Sequence, residues 1–210
     1  EEDEAVCSAI LLHDVGHSPF SHALEHSIVK NVHHEEISTM IMDRLNQDFD
    51  GKLTLAIKIF NNEYSKKFLH QLVSSQLDMD RLDYLARDSF YSGVTEGKVG
   101  SVRIIKMLSV SNDQLVVEEK GIYSVEKFIF ARRLMYWQVY LHKTVLSAEH
   151  MLTLVLRRAK YLAQSGSEIF ATPALLRFLN NDFDKKSFES MPDIIDSFCE
   201  LDDSDIFSAM

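Results

Sequence analysis

At 210 residues with 46% hydrophobic content, the chain can bury one substantial core, or one and part of a second. Its 22 basic and 32 acidic residues leave a net charge of -10, which argues against non-specific binding to nucleic acid, double-stranded above all, or to an anionic membrane surface. Any phosphate ligand must therefore be held locally, and a small nucleotide or phosphoester suits that better than a polymer.

No apolar run reaches the roughly 18 residues of a membrane span. Cys7 and Cys199 form neither a disulfide framework nor a zinc ribbon, so a reducing cytoplasm is the expected compartment. The chain starts at Glu1 without a methionine and already inside a helical pattern, which reads as a fragment of something longer.

In chain order, Ala5, Val6, Ala9, Ile10 and Leu12 recur at helical spacing, and Gly16 stands where a left-handed helix-ending residue is expected. His13 and Asp14 then fall in the last turn. Ser18-Pro19 reads as the cap and first residue of a second helix, with His22, Glu25 and His26 on one side and Leu24, Ile28 and Val29 behind. A third helix runs from His33 to Phe49 over Ile37, Met40, Ile41 and Leu45. Shorter helices cover Leu53 to Phe60 and Ser65 to Ser75. Asp78 to Phe90 is helical, with Met79, Leu82, Leu85 and Ala86 turned inward and Gly93 ending it.

Between Met107 and Tyr123 the period changes to two, with Leu108-Val110 and Leu115-Val117 flanking Ser111-Asn112-Asp113, which predicts a hairpin. Ser124 to Gln164 is the longest periodic segment. Phe128, Ile129, Leu134, Met135, Leu141, Val145, Leu152, Val155 and Leu162 form its apolar side, and the length suggests a central helix bent or broken in the middle. Gly166 closes it, Thr172-Pro173 opens another, and the acidic stretch Asp202-Asp203-Ser204-Asp205 caps a last one. The fold class is therefore all-α with one short β-hairpin near residues 107–118.

The chemistry concentrates in His13-Asp14-Val15-Gly16-His17-Ser18-Pro19-Phe20-Ser21-His22. Imidazole and carboxylate at a helix end suit a divalent ion, and the third ligand is sought among the carboxylates of Asp78-Met79-Asp80-Arg81-Leu82-Asp83-Tyr84. Asp80, Tyr84 and Asp88 share one helix face, whereas Asp83 and Arg87 read as a surface ion pair. His22 and Glu25, three apart, make a carboxylate-oriented imidazole suited to general acid or base work. Beside His34, Glu35 is either an orienting partner or a first-turn acid. Arg132, Tyr136, Tyr140 and Lys143 form a second polar stripe, able to hold a phosphate and a sugar or to serve as a solvated face.

With His34-Glu35, Asp80-Arg81-Leu82-Asp83-Tyr84-Leu85-Ala86-Arg87-Asp88 and Tyr140-Leu141-His142-Lys143 in the same order, the chain resembles the HD-domain phosphohydrolases, within them the deoxynucleoside triphosphate triphosphohydrolase-like branch, from Glu1 to about Gly166. The resemblance implies that His13, Asp14 and Asp80 are metal ligands, for Mn²⁺, Mg²⁺ or Fe²⁺ with Zn²⁺ admissible. The family's first histidine ligand has no counterpart before His13. The resemblance further implies that His22, steadied by Glu25, acts at phosphorus or on the leaving oxygen, that His34 assists with Glu35, and that His17 lines the pocket. Arg81 would meet the triphosphate, Tyr84 and Asp88 the sugar and its 3′-hydroxyl, and Arg132 and Tyr140 both groups. Tyr136 departs from a histidine seen there in some members.

The implied reaction releases a deoxynucleoside and tripolyphosphate. Alternatives are another HD-type nucleotide phosphohydrolase, either a pyrophosphohydrolase or a nucleotidase, and a non-catalytic nucleotide-binding regulatory module. The resemblance also implies a homo-oligomer with a small-molecule nucleotide substrate. On this reading residues 1–165 form the catalytic domain and 166–210 begin a C-terminal helical region.

Overall fold

The computed structural model describes residues 1–21, 24, 27, 29 and 32–210. It is mainly helical. The elements are α1 (Glu2–Leu12), α2 (His34–Asp48), α3 (Thr54–Phe60), α4 (Lys67–Val73), α5 (Met79–Ser92), α6 (Ser101–Met107), β1 (Leu108–Ser111), β2 (Gln114–Val117), α7 (Ile122–Met135), a π turn (Tyr136–Tyr140), α8 (Lys143–Gln164), α9 (Pro173–Asn180), α10 (Lys185–Ser190), α11 (Pro192–Cys199) and α12 (Asp203–Ala209). Two compact units emerge, Glu1–His13 with Asn46–Leu146, and Asp14–Leu45 with Ser147–Met210.

In the first unit, Ala5 and Ala9 of α1 pack with Ala56, Ile59, Leu69 and Val73 of α3 and α4. A second cluster joins Leu82 and Leu85 of α5 to Ile104, Phe128 and Met135 of α6 and α7. Each fully buried aliphatic side chain there contributes about 1.5–3 kcal/mol by leaving water. The spacing predicts Leu82, Leu85 and Ala86 inward, but Ala86 is exposed and Ser89 is buried instead. The Ser89 hydroxyl donates to the Val94 carbonyl at 2.8 Å, so a small polar residue is satisfied where the helix meets the next loop. Gly93 ends α5 at φ 73, as a left-handed cap requires. The hairpin forms with Leu108 opposite Val117 and Ser111 opposite Gln114, and Asn112 and Asp113 take the two positive φ values of a tight two-residue turn.

The long periodic segment is broken, as its length suggests. A π turn at Tyr136–Tyr140 adds a residue to the helical repeat between α7 and α8 and shifts the phase of every side chain beyond it. A stripe read on one continuous helix therefore fails to stay on one face: beyond the turn Leu141, Val145 and Val155 are exposed while Thr153 and Lys160 are buried, and ahead of it Ile129 is exposed as well. Lys160 is neutralised by Asp182 at 2.9 Å.

The second unit is built on rings. Phe178, wholly buried, meets Phe183 and Phe198 edge-on at 5.3 and 6.2 Å, and Phe188 meets Phe198 at 6.1 Å. Leu24, Val29, Ile37, Ile41, Leu156 and Ile194 complete this core. Thr172 caps α9 ahead of Pro173, and Asp202 caps α12 in a reciprocal box with Asp205.

Two expectations here are corrected. Gly16 has no left-handed φ; α1 stops at Leu12, and Gly16 is small because a Cβ would collide with the His34 carbonyl and the Ser38 amide at the start of α2. Its N–H donates to the buried Ser38 hydroxyl at 2.9 Å. Ser18-Pro19 does not open a helix directly, because Phe20 and Ser21 take φ 53 and 52 and close a turn on the Ser18 carbonyl at 2.8 Å. Asp203 holds that turn by accepting from the Phe20 N–H at 2.8 Å. The predicted helix carrying His22, Glu25, His26 and Ile28 lies outside the described residues.

Candidate active site

His13 stands at the C-terminal cap of α1, where its ring reaches back over the last turn. Nδ1 lies 2.6 Å from the Ile10 carbonyl, which fixes Nδ1 as the donor and turns Nε2 into the basic nitrogen. Nε2 is 3.6 Å from Oδ1 of Asp80, which the first turn of α5 presents from the same unit. Both side chains are partly buried, 21% and 30% exposed.

A neutral imidazole nitrogen and a carboxylate oxygen both offer lone pairs, so a cation between them makes this approach favourable. Two atoms bound about 2.1 Å from a common ion stand roughly 3.0–3.6 Å apart, and this pair fits that spacing. A nitrogen and carboxylate set suits Mn²⁺, Mg²⁺, Fe²⁺ or Zn²⁺. Asp14 follows His13 in the chain.

On α5, Asp80, Tyr84 and Asp88 keep one face, as their spacing predicts. The π turn brings Tyr136 and Tyr140 to that face. The Tyr140 hydroxyl donates to Asp88 Oδ2 at 2.7 Å, Tyr84 meets Tyr140 edge-on at 6.0 Å, and Tyr136 meets Tyr140 at 5.2 Å. Burial and then the Asp88 carboxylate push the Tyr140 phenol far above its usual range, and burial raises Tyr84 as well, so both remain hydroxyl donors.

Arg132 lies 5.7 Å over the Tyr136 ring and donates to Gln76 Oε1 at 3.3 Å. Lys143 begins α8 as an exposed residue. Asp83 pairs with Arg87 on the surface. Arg81 pairs with Asp78, and its buried Nε finds no acceptor among the described residues. The sequence counted Asp78 only among the carboxylates of its motif and gave Gln76 no role; the signal for the Arg81 contact was an aspartate ahead of a helix with arginine three residues on.

The second unit holds a histidine cluster. His17 Nε2 is 3.6 Å from Asp14 Oδ1, and His17 Nδ1 is 3.1 Å from the Ser21 hydroxyl. The His17 and His34 rings stack at 4.0 Å with 14° between their planes. Asp14, His17 and His34 each present a ligand atom within 4.8 Å of the others. His34 starts α2, with Nε2 3.4 Å from the carboxylate of Glu35, an exposed acid of the first turn. His22 and Glu25 lie outside the described residues.

Residues 99–182 match the model of the HD associated region. The chain is 39% identical over 172 residues to the uncharacterized protein YwfO of Bacillus subtilis, matching 79% of this chain and 39% of that protein. A deoxynucleoside triphosphate triphosphohydrolase SAMHD1 homolog of Dictyostelium discoideum is 29% identical over 168 residues, 72% of this chain and 32% of that protein. Among solved structures, a phosphohydrolase of Bacteroides thetaiotaomicron superposes with a TM-score of 0.96 at 63% identity, covering 99% of this chain and 52% of that one. The chain thus spans between about a third and a half of these relatives. With its helical fold and His-Asp motif, the chain belongs to the HD-domain phosphohydrolase superfamily.

Proposed function

We propose that this chain carries the active site of a divalent-metal phosphohydrolase that cleaves (deoxy)nucleoside triphosphates to a (deoxy)nucleoside and tripolyphosphate. The observation that carries the reading is the His13 Nε2 to Asp80 Oδ1 approach at 3.6 Å, with His13 Nδ1 already engaged by Ile10. His13 and Asp80 would hold the ion, with Asp14, the next residue of the His-Asp motif, as the further ligand that the family resemblance implies. When bound, it supplies an activated water and a positive centre against the charge that develops at phosphorus.

The chain's own groups do the rest. Arg81 offers a buried N–H to a phosphate oxygen, and Arg132 adds a second guanidinium. With its one hydrogen given to Asp88, the Tyr140 oxygen is left, like the Asp88 carboxylate, to accept from a sugar hydroxyl, with the Tyr84 and Tyr136 rings as the apolar wall. Within the second unit, His17 and the His34–Glu35 pair gather beside Asp14 as acid and base groups, and His22 with Glu25 would supply the proton to the leaving oxygen.

Self-association belongs to the same proposal, because Ile122, Tyr123, Ile129, Phe130 and Trp137 are largely exposed, the kind of apolar face that two copies bury. A monomer in sedimentation velocity would overturn that part.

Product analysis of the full-length protein, with Mn²⁺ or Mg²⁺ and a panel of ribo- and deoxyribonucleoside triphosphates, tests the reaction. Nucleoside with tripolyphosphate is the expected outcome. Pyrophosphate or orthophosphate would move the protein to a sibling HD activity, and tight nucleotide binding without product would make it a regulatory module.

A further inference from the structure

Asp78 caps the N-terminus of α5, two residues before Asp80, and its side chain has no exposed surface. A carboxylate so placed stays charged only if donors replace water. Oδ1 accepts from the Arg81 backbone N–H at 2.8 Å, while Oδ2 accepts from the Ser75 N–H at 2.9 Å and from the Arg81 guanidinium. A plain helix cap needs only the first of these bonds. The other two tie a side chain and a loop to the same carboxylate.

That loop carries Gln76, whose amide oxygen accepts from Arg132 at 3.3 Å. Its start is fixed further where the Leu77 N–H donates to the Ser75 hydroxyl at 3.2 Å. Asp78 therefore reaches Arg81 directly and Arg132 through Ser75–Leu77. Arg81 stands three residues before Tyr84 on α5, and Arg132 lies 5.7 Å over the ring of Tyr136, which meets Tyr140 as Tyr84 does, so the two guanidiniums flank one aromatic cluster.

We propose that Asp78 is a positioning residue that sets Arg81, and through the Ser75–Leu77 loop Arg132, as the two arms of a clamp for a polyphosphate. This rests on the triphosphate reading above and adds a residue to it. Asp78 touches no substrate. By neutralising part of the Arg81 charge, it also lowers the repulsion of holding a second guanidinium nearby.

The test uses the full-length protein with Asp78→Asn and Gln76→Ala. The readouts are KM and kcat for a nucleoside triphosphate, the Kd of inorganic tripolyphosphate by calorimetry, bound divalent metal and Tm. Asp78→Asn is expected to raise KM and the tripolyphosphate Kd about tenfold, since a charge-assisted contact to Arg81 is lost, while metal content stays at the wild-type level. Gln76→Ala, at an exposed position, is expected to raise both about two- to fivefold with no change in Tm.

A role confined to capping would lower the Tm of Asp78→Asn and leave KM and tripolyphosphate Kd at wild-type values in both variants, which overturns the proposal. If the wild-type protein binds no tripolyphosphate and cleaves no triphosphate, the functional reading falls and this inference falls with it. If the wild type does both and the variants match it, only the inference falls.

Discussion

The two units of the chain treat their carboxylates differently. In the first, a fully buried Asp78 holds a loop, a backbone and a guanidinium, and a half-buried Tyr140 donates to Asp88. In the second, phenylalanine rings fill the core, and the hydrogen-bonded carboxylates, among them Asp184, Asp193 and Asp202, stay at the surface as caps and pairs. The contrast lies in the carboxylates: Asp78 is buried and each of its donors fixes a direction that an apolar contact leaves free, whereas the second unit buries Ser38, Thr153 and Lys160 but keeps these carboxylates outside.

Three changes break or sharpen that contrast. The largest effect is expected from Phe178→Ala in the second unit. Removing a fully buried ring that meets two others costs about 3–5 kcal/mol, read by denaturant unfolding. A loss below about 1 kcal/mol would mean that the ring cluster is not what holds this unit together.

Next comes Tyr140→Phe in the first unit. It removes one donor to Asp88 and should lower stability by about 1 kcal/mol while raising KM for a deoxynucleoside triphosphate several-fold. Because burial and Asp88 raise the Tyr140 phenol, ultraviolet titration should show this hydroxyl still protonated at about pH 10, where a free tyrosine is half ionised. A phenolate signal from Tyr140 at that pH would contradict the buried pair.

The smallest effect is acid sensitivity. Lys185 holds Glu36 below the usual carboxylate range, Ser187 does the same for Asp184, Arg177 for Asp193 and Ser204 for Asp202, all in the second unit. In the first unit, Lys66 and Tyr64 lower Glu2. A carboxyl with a depressed folded pKa adds stability above its unfolded value, and that contribution is lost as pH falls through the folded one. Hydrogen exchange in acid should therefore show the second unit opening first as pH drops below about 4. Opening of the first unit before it would remove the distinction.

Much of this was legible in the residues. The hairpin announced itself through alternation around Asn112-Asp113, and Gly93, Gly166 and Thr172-Pro173 marked helix ends that formed where they stood. The polar face of Asp80, Tyr84 and Asp88 followed from spacing alone. Gly16 misled because a glycine after an apolar helix looks the same whether it supplies a positive φ or room for a neighbour, here the start of α2. The π turn was illegible because one extra residue in a helical turn leaves no compositional mark, although it decides which apolar side chains beyond it face outward. The bonding of Asp78 was not legible because capping is the ordinary use of an aspartate there, and its bond to Ser75 depends on a loop whose path only the fold defines.

The central claim is that His13 and Asp80 face a common divalent ion. Metal content and Mn²⁺ affinity of the full-length protein, wild type against Asp80→Ala, test it most directly, with circular dichroism as the control for folding. The account predicts tightly held metal in the wild type and affinity at least about 100-fold weaker in the variant, with helicity unchanged. Equal metal content and affinity in the two proteins would contradict it.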